Sequence, residues 1–442
     1  MNEQLNATHD PRAWSWIASA NTPGTDFPIQ NLPFGVFREK AGTTAPRVGV
    51  AIGDHVLGVA RCAREGVFTG LAAEAAAACE AAGLNPLLTL GPPHWSALRR
   101  ALFDLFNGDH PQADRRHDLV GPFLVPLEHV DLLLPAAIGG YTDFYASVFH
   151  ATNVGRMMRP DTPLLPNYKF VPIGYHGRAS SVVVSGTPVR RPCGQTRPEG
   201  ADTPVFGPSN RLDYELEVGV FIGPGNVLGQ PISIDEIENH LFGLCLVNDW
   251  SARDMQAWEY QPLGPFLAKN FATTVSPWVV TMESRAPLRV PAFQRPEGDP
   301  VPLPYLDSRT CRDRGGIDLA LAVHVRTARM REQGVPPVRL SHSNLRDLYW
   351  TMGQLATHHA SNGCNLQPGD LLASGTVSGP TKDSRGCLLE LTWRGSDPID
   401  LPTGERRAFL EDGDEVMLSG RCERDGAAPI GFGECRGLVL PA

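Results

Sequence analysis

Tyr214-Glu215-Leu216-Glu217-Val218-Gly219-Val220-Phe221-Ile222 is the stretch from which the rest of the chain can be read. Side chains alternate faces along a strand, so Leu216, Val218, Val220 and Ile222 share one face. Glu215 and Glu217 share the other, with Asp213 in register before them. Same-face neighbours stand about 7 Å apart, and two carboxylates aimed at one spot repel unless a cation lies between them. The outer, solvated face of an edge strand is one reading of such a pattern; a cation site is the other. The surroundings favour the second. Asp249 follows the apolar run Leu244-Cys245-Leu246-Val247, and a carboxylate at the end of a buried strand is where a site tends to lie. An all-oxygen set of Asp and Glu suits Mg²⁺, Ca²⁺ or Mn²⁺ rather than Zn²⁺.

A second cluster lies upstream, at Tyr141-Thr142-Asp143-Phe144-Tyr145 followed by His150. Asp143 offers a further carboxylate. His150 is a candidate general base because imidazole titrates near working pH, although a lone histidine is more often structural. Arg159, Arg178 and Arg253 are candidates for two-pronged carboxylate pairing, with surface arginine the alternative for each. Leu388–Trp393 reads as an alternating strand that sets Glu390 among leucines, and a carboxylate in apolar company needs a partner. Gly375-Thr376-Val377-Ser378-Gly379 lacks the lysine of a phosphate loop and reads as a tight loop lining a pocket. There is no G-x-S-x-G, H-E-x-x-H, P-loop or helix-opening G-x-G-x-x-G, so serine hydrolase, zincin, nucleotide hydrolase and dehydrogenase readings lose support.

Composition bounds the rest. The 442 residues include 45 Gly and 40 Pro, which favour short strands and tight turns over a helical bundle. A net charge of −9 argues against nucleic acid as a partner. The nine cysteines form no C-x-x-C pair, which fits buried thiols in a reducing compartment better than a zinc site or a disulfide framework. Met1–Asp10 lacks the character of a signal peptide, and no apolar run reaches membrane-spanning length, so a cytoplasmic, soluble protein with no membrane partner is expected.

Gly35–Arg38 and Val48–Leu57 read as strands with a Gly-Asp turn, followed by helices over Leu71–Ala82 and Trp95–Phe106 and a polar separator, Asp109–Asp118. This unit ends near Leu133-Leu134-Pro135, dividing the chain into residues 1–134 and 135–442. The second unit is richer in strands, among them Ser181–Val184, Leu319–Val325 and Glu415–Leu418. Ser233–Glu236 has capping-box spacing before a helix at Ile237–Phe242, and Leu345, Leu348, Tyr349, Met352 and Leu355 make a helical stripe. The expected fold is mainly β with some α.

Together these segments resemble the fumarylacetoacetate hydrolase family. The likeness runs through Tyr141–Tyr145, His150-Ala151-Thr152-Asn153-Val154-Gly155, Gly174-Tyr175-His176-Gly177-Arg178-Ala179-Ser180-Ser181, Leu212–Glu217, Asn248–Asp254, Pro262–Phe266, Leu371–Gly379 and Asp412–Val416, in the family's order. It implies a small N-terminal β-barrel-like domain, an SH3-like accessory unit over 1–134, and a C-terminal mixed β-roll catalytic domain over 135–442. It implies metal-dependent hydrolysis of the C–C bond of fumarylacetoacetate, a β-diketo dicarboxylic acid, at the end of tyrosine catabolism, by a homodimer with no organic cofactor. Asp143, Glu215, Glu217 and Asp249 would hold Ca²⁺ or Mg²⁺, and Lys269 and Thr273 would lie by a second cation. His150 would activate water with Glu390 as partner, while Arg253, Gln256 and Lys269 would stabilise the oxyanion. Tyr145, Arg159, Tyr175, Tyr260 and Thr376, with Arg253 and Gln256, would bind substrate. Ala268 and Ala272 stand where the resemblance leads one to expect glycine, which touches the second cation site; Phe149 replaces a polar neighbour of the base. Acylpyruvate hydrolase or keto-acid decarboxylase chemistry is the nearest rival, and a non-catalytic metal-binding scaffold the more distant one.

Overall fold

In the computed structural model, which describes residues 5–41 and 44–442, strands form where apolar alternation is bounded by Gly and Pro. Met1–Gln4, part of the segment read as lacking a signal peptide, lie outside the described residues. Strands β1 (Phe34–Glu39), β2 (Arg47–Ile52) and β3 (His55–Gly58) form an antiparallel meander, turned at Gly53-Asp54 with Gly53 at φ +56°. β4 (Leu124–Pro126) and β5 (Val130–Leu133) complete a five-stranded sheet in the order β4-β3-β2-β1-β5. Helices Gly70–Ala78 and Pro92–Phe106 pack beside it, the second through Leu98, Leu102 and Phe106.

The central sheet uses β6 (Tyr141–Phe144), β7 (Gly174–Gly177), β8 (Val182–Val184), β9 (Leu216–Ile222), β10 (Leu241–Asp249), β11 (Thr273–Val275) and β12 (Leu371–Ala373). Their order is β7-β6-β12-β9-β10-β11-β8, with Val280–Thr281 paired to β10 as the eighth strand. The β12–β6 and β11–β8 pairs are parallel and the others antiparallel, so the sheet is mixed.

Both faces of β9 are buried. Leu216, Val218, Val220 and Ile222 pack toward a second, five-stranded sheet that includes Ala320–Arg326, Glu415–Cys422 and Ile430–Leu440. Burying each such side chain contributes roughly 1.5–3 kcal/mol. On the opposite face Phe221, Cys245, Val247, Leu371 and Ala373 share a core with Phe34, Val36 and Leu98 of the N-terminal unit. The architecture is thus an N-terminal β domain joined to a C-terminal mixed β-roll. Among the described residues no helix is long and apolar enough to cross a membrane, and all nine cysteines are free.

Several local expectations are corrected. Leu388–Trp393 is not a strand: Leu388–Leu391 forms one helical turn, ended by Trp393 and Arg394 in the left-handed region. Period-two and helical readings of so short an apolar run are indistinguishable by pattern. Ser233–Glu236 does not cap with its side chains; a 3₁₀ turn, Ile237–His240, is followed directly by β10, which takes up Leu241 and Phe242. The stripe at Leu345–Leu355 divides into a 3₁₀ turn, Leu345–Asp347, and a helix from Met352 capped by a Thr351–Gln354 box. The strand read over Tyr214–Ile222 breaks at Tyr214-Glu215, between Leu212–Asp213 and β9. The supposed separator Asp109–Asp118 contains the start of a helix, Ala113–Val120, anchored by buried Val120.

Gly375 follows β12 at φ +76°, where an added Cβ would meet the Phe144 carbonyl oxygen at 2.1 Å. Gly375→Ala is expected to cost about 3 kcal/mol. Equilibrium unfolding in denaturant checks this, and an unchanged midpoint would show that the loop can move away from Phe144.

Candidate active site

The pleat delivers the acidic residues to one place. Register pairs Ala373 with Asp143, Glu217 with Val247 and Asp249 with Thr273, so all of these lie on the face that also carries Tyr175. Asp143, Glu215, Glu217 and Asp249 are buried, and one oxygen from each lies within 4.8 Å of the others. Lys269 Nζ donates to Glu215 Oε2 and Asp249 Oδ2, both at 2.6 Å. Arg253 Nη1 donates to Glu215 Oε1 at 2.7 Å, and the Tyr175 hydroxyl to Asp249 Oδ2 at 2.8 Å. The Gly375 N–H donates to Asp143 Oδ1 at 3.0 Å, and Thr273 Oγ1 stands 3.3 Å from Asp249 Oδ1.

These partners are unevenly shared. Burial opposes ionisation of Glu215, yet Lys269 and Arg253 together hold it well below the usual carboxylate range. Burial, with the charges of Asp143, Asp249 and Glu215, pushes Glu217 well above that range. Asp143 is raised by burial and by Asp249. Among the described residues no N–H donates to either Glu217 oxygen although both are buried, and the neighbouring group is the carboxyl of Asp143. A buried carboxylate that no N–H reaches, among three others, is costly. It fits a divalent cation of the oxygen-seeking kind.

His150 sits in the first turn of the helix Val148–Met158, whose Ser147 cap accepts the His150 N–H at 3.1 Å. Its Nδ1 lies 2.6 Å from Glu390 Oε2, and its Nε2 is 4.0 Å from Glu215 Oε1. With Nδ1–H donating to the carboxylate, Nε2 keeps its lone pair and faces the acidic cluster. Glu390 also accepts from Asn153 Nδ2 at 2.8 Å and Ser378 Oγ at 2.7 Å, and Cys387 Sγ is 3.3 Å away. Burial works against the charged form of Glu390, but His150, Asn153 and Ser378 keep its carboxyl below the ordinary value.

Asn153 and Ser378 are neighbours of the dyad that the residue pattern did not single out. Asn153 follows His150 by one helical turn, a signal that was available. Asp213 does not join the four-carboxylate cluster; it pairs with Arg253 Nε at 2.9 Å.

The remaining expected residues take these places. Gln256 Oε1 accepts from Arg253 Nη1 at 3.2 Å on the helix Arg253–Glu259, and Tyr260 caps that helix. Tyr145 meets the His150 ring edge-on with centroids 5.2 Å apart. Thr376 is buried and Arg159 ends the His150 helix, and among the described residues neither the Thr376 hydroxyl nor the buried Arg159 Nε has a hydrogen-bond partner. Arg178 is exposed, donates to Ser180 Oγ and lines the cavity that opens beside the cluster. Ala268 and Ala272 are outside the left-handed region, so glycine is not required there. Phe149 packs edge-on against Phe293. A cavity of about 480 Å³, lined in part by Tyr175, Phe266, Lys269 and Asn270, opens beside the cluster.

A base held by a buried carboxylate and turned toward an acidic pocket is the equipment of a hydrolytic enzyme. Residues 140–440 match the family described as fumarylacetoacetate (FAA) hydrolase C-terminal, and residues 30–135 match fumarylacetoacetase N-terminal. The chain is 48% identical over 423 residues to a fumarylacetoacetase of Oryza sativa subsp. japonica, covering 95% of this chain and 96% of that one. It is 48% identical over 421 residues to a fumarylacetoacetase of Homo sapiens, covering 95% and 97%. Its fold resembles a fumarylacetoacetate hydrolase structure from Exiguobacterium antarcticum with a TM-score of 0.50 at 16% identity, covering 93% of this chain and all of that one. The chain belongs to the fumarylacetoacetase family, and it is a hydrolase.

In EDTA the protein is expected to lose stability as pH rises above about 4.3, the ordinary glutamate value. The folded state binds a proton at Glu217 that the unfolded chain has already released, so unfolding gains ground with pH. Glu217→Gln should flatten that slope, and an added divalent cation should stabilise wild type more than the variant. Thermal melts across pH check this; parallel curves for the two proteins would contradict it.

Proposed function

We propose that the chain hydrolyses fumarylacetoacetate to fumarate and acetoacetate, the closing step of tyrosine catabolism, with a His150–Glu390 dyad activating water. The observation that carries this reading is the geometry of His150, with Nδ1 2.6 Å from Glu390 and Nε2 turned to the carboxylate cluster, 4.0 Å from Glu215 Oε1. Membership of the family supports the substrate.

In this reading His150 Nε2 takes a proton from water as its oxygen attacks the keto carbon, and Glu390 stabilises the imidazolium. Arg253, Gln256 and Lys269 present donors to the oxyanion. The C–C bond then breaks with its electron pair passing into the β-keto fragment, and a proton completes acetoacetate. Tyr145, Arg159, Tyr175, Tyr260 and Thr376 hold the substrate, Arg159 and the hydroxyls taking its carboxylate ends. Asp143, Glu215, Glu217 and Asp249 would hold Ca²⁺ or Mg²⁺, with Lys269 and Thr273 beside a second cation. A divalent cation held by the four carboxylates would supply positive charge for oxygens that gain electron density during the reaction. No organic cofactor is needed. The persistence of the dyad beside the ligands supports hydrolysis over decarboxylation, which needs no paired base. The reading also includes an SH3-like unit over 1–134, a catalytic unit over 135–442, a homodimer and a cytoplasmic location.

The test is loss of fumarylacetoacetate by purified protein before and after EDTA, with Ca²⁺ or Mg²⁺ restored. Turnover is expected to vanish on chelation and return with the cation. His150→Ala should lower kcat by about 10³-fold or more while cation binding persists. Loss of cation binding in that variant would mean that His150 is a ligand, not a base. Turnover of acylpyruvate or oxaloacetate alone would replace the substrate.

A further inference from the structure

We propose that Asp213 is a positioning residue that ties the oxyanion-side arginine to the acid–base dyad; the inference rests on the hydrolase reading above. Asp213 is fully buried at the end of the short strand Leu212–Asp213. Its Oδ2 accepts from Arg253 Nε at 2.9 Å and from the Leu389 N–H at 2.9 Å. Its Oδ1 accepts from the Leu388 N–H at 2.8 Å and the Tyr214 N–H at 2.8 Å.

Leu388 and Leu389 open the single helical turn Leu388–Leu391, whose own cap residue, Cys387, makes no side-chain capping bond. The first N–H groups of a helix need acceptors, and a carboxylate there is favoured by the local dipole. Asp213 supplies that acceptor from a distant part of the chain. The third residue of the turn is Glu390, which holds His150 Nδ1 at 2.6 Å. The same carboxylate therefore orients Arg253 on one side and the turn that delivers Glu390 on the other. Arg253 in turn donates to Glu215 and Gln256. An amide in place of the carboxylate would face at least one of these donors with its own NH₂ group.

The experiment uses Asp213→Asn in the full chain. Its first readout is the downfield proton NMR signal of the His150 Nδ1–H···Glu390 bond, assigned by its loss in Glu390→Gln. That signal is expected to shift or broaden in Asp213→Asn while divalent-cation binding is retained. The second readout is steady-state kinetics: kcat should fall about 100-fold, more than KM rises. In a Glu390→Gln background the same substitution should cost far less, because the two residues act on one path. An unmoved signal with kcat within about threefold of wild type, or full additivity with Glu390→Gln, would overturn the proposal. If Asp213→Asn does not fold, Asp213→Glu keeps the charge on a longer side chain and is read by the same two measures. If wild type fails to hydrolyse fumarylacetoacetate, the substrate reading falls, and the NMR signal alone decides the role of Asp213.

Discussion

Burial of negative charge governs how this molecule is arranged. Asp143, Asp213, Glu215, Glu217, Asp249 and Glu390 are all buried, whereas the permanently charged side chains that touch them are Lys269 and Arg253. Moving a carboxylate from water into the interior costs several kcal/mol unless it is paired and hydrogen-bonded. The structure meets that cost separately at each acid. Asp213 and Glu390 are surrounded by donors, and Glu215 holds both cationic side chains. Asp249 shares Lys269 and the Tyr175 hydroxyl, Asp143 has one backbone N–H, and among the described residues no N–H donates to Glu217, which lies against Asp143. The shortfall is concentrated at one end of the sheet rather than spread over the core. It lies where a divalent cation would be chelated by oxygen ligands.

The N-terminal unit acquires a physical role from the same sheet face. Glu217 and Asp249 share one face with Phe221, Cys245 and Val247, and the apolar members of that face pack against Phe34, Val36 and Leu98. The link is reinforced by reciprocal backbone hydrogen bonds between Phe34 and Val279. Covering the face keeps water from one side of the strands that carry the acids, which strengthens every electrostatic interaction at their ends. No chemistry of its own is required of the unit for it to matter to the site.

Much of the site was legible because strand alternation is a strict code. Glu217 and Asp249 were placed by their apolar neighbours, and His150 by its short distance from Asp143. Glu390 was identified as a carboxylate needing a partner, but its element was misread. A four-residue apolar run fits a strand or a helical turn equally well, and what decides is Asp213, remote in sequence. The same holds for the capping signature at Ser233–Glu236: local spacing proposed a helix, and the pull of β10 into the central sheet prevailed. Asn153, Ser378 and the cap made by Asp213 were hidden because their partners meet only in the folded chain. Thr376 shows the opposite case: Gly375–Gly379 reads as a tight loop from its glycines alone, and Gly375 in the left-handed region makes it one.

That loop also explains how the base and the cluster can be separate yet held in register. Gly375 gives its N–H to Asp143, and Ser378, three residues later, gives its hydroxyl to Glu390. The tie through Asp213 runs by a different route, from Arg253 and Glu215 to the turn bearing Glu390. Two independent connections fix the distance between the imidazole and the carboxylates. Separation itself has a chemical use. An imidazole bound to a metal has spent the lone pair that a general base needs. Here Nδ1 lies against Glu390 and the cluster is built from oxygens alone, so in the proposed mechanism Nε2 would be left to accept a proton beside the cation site.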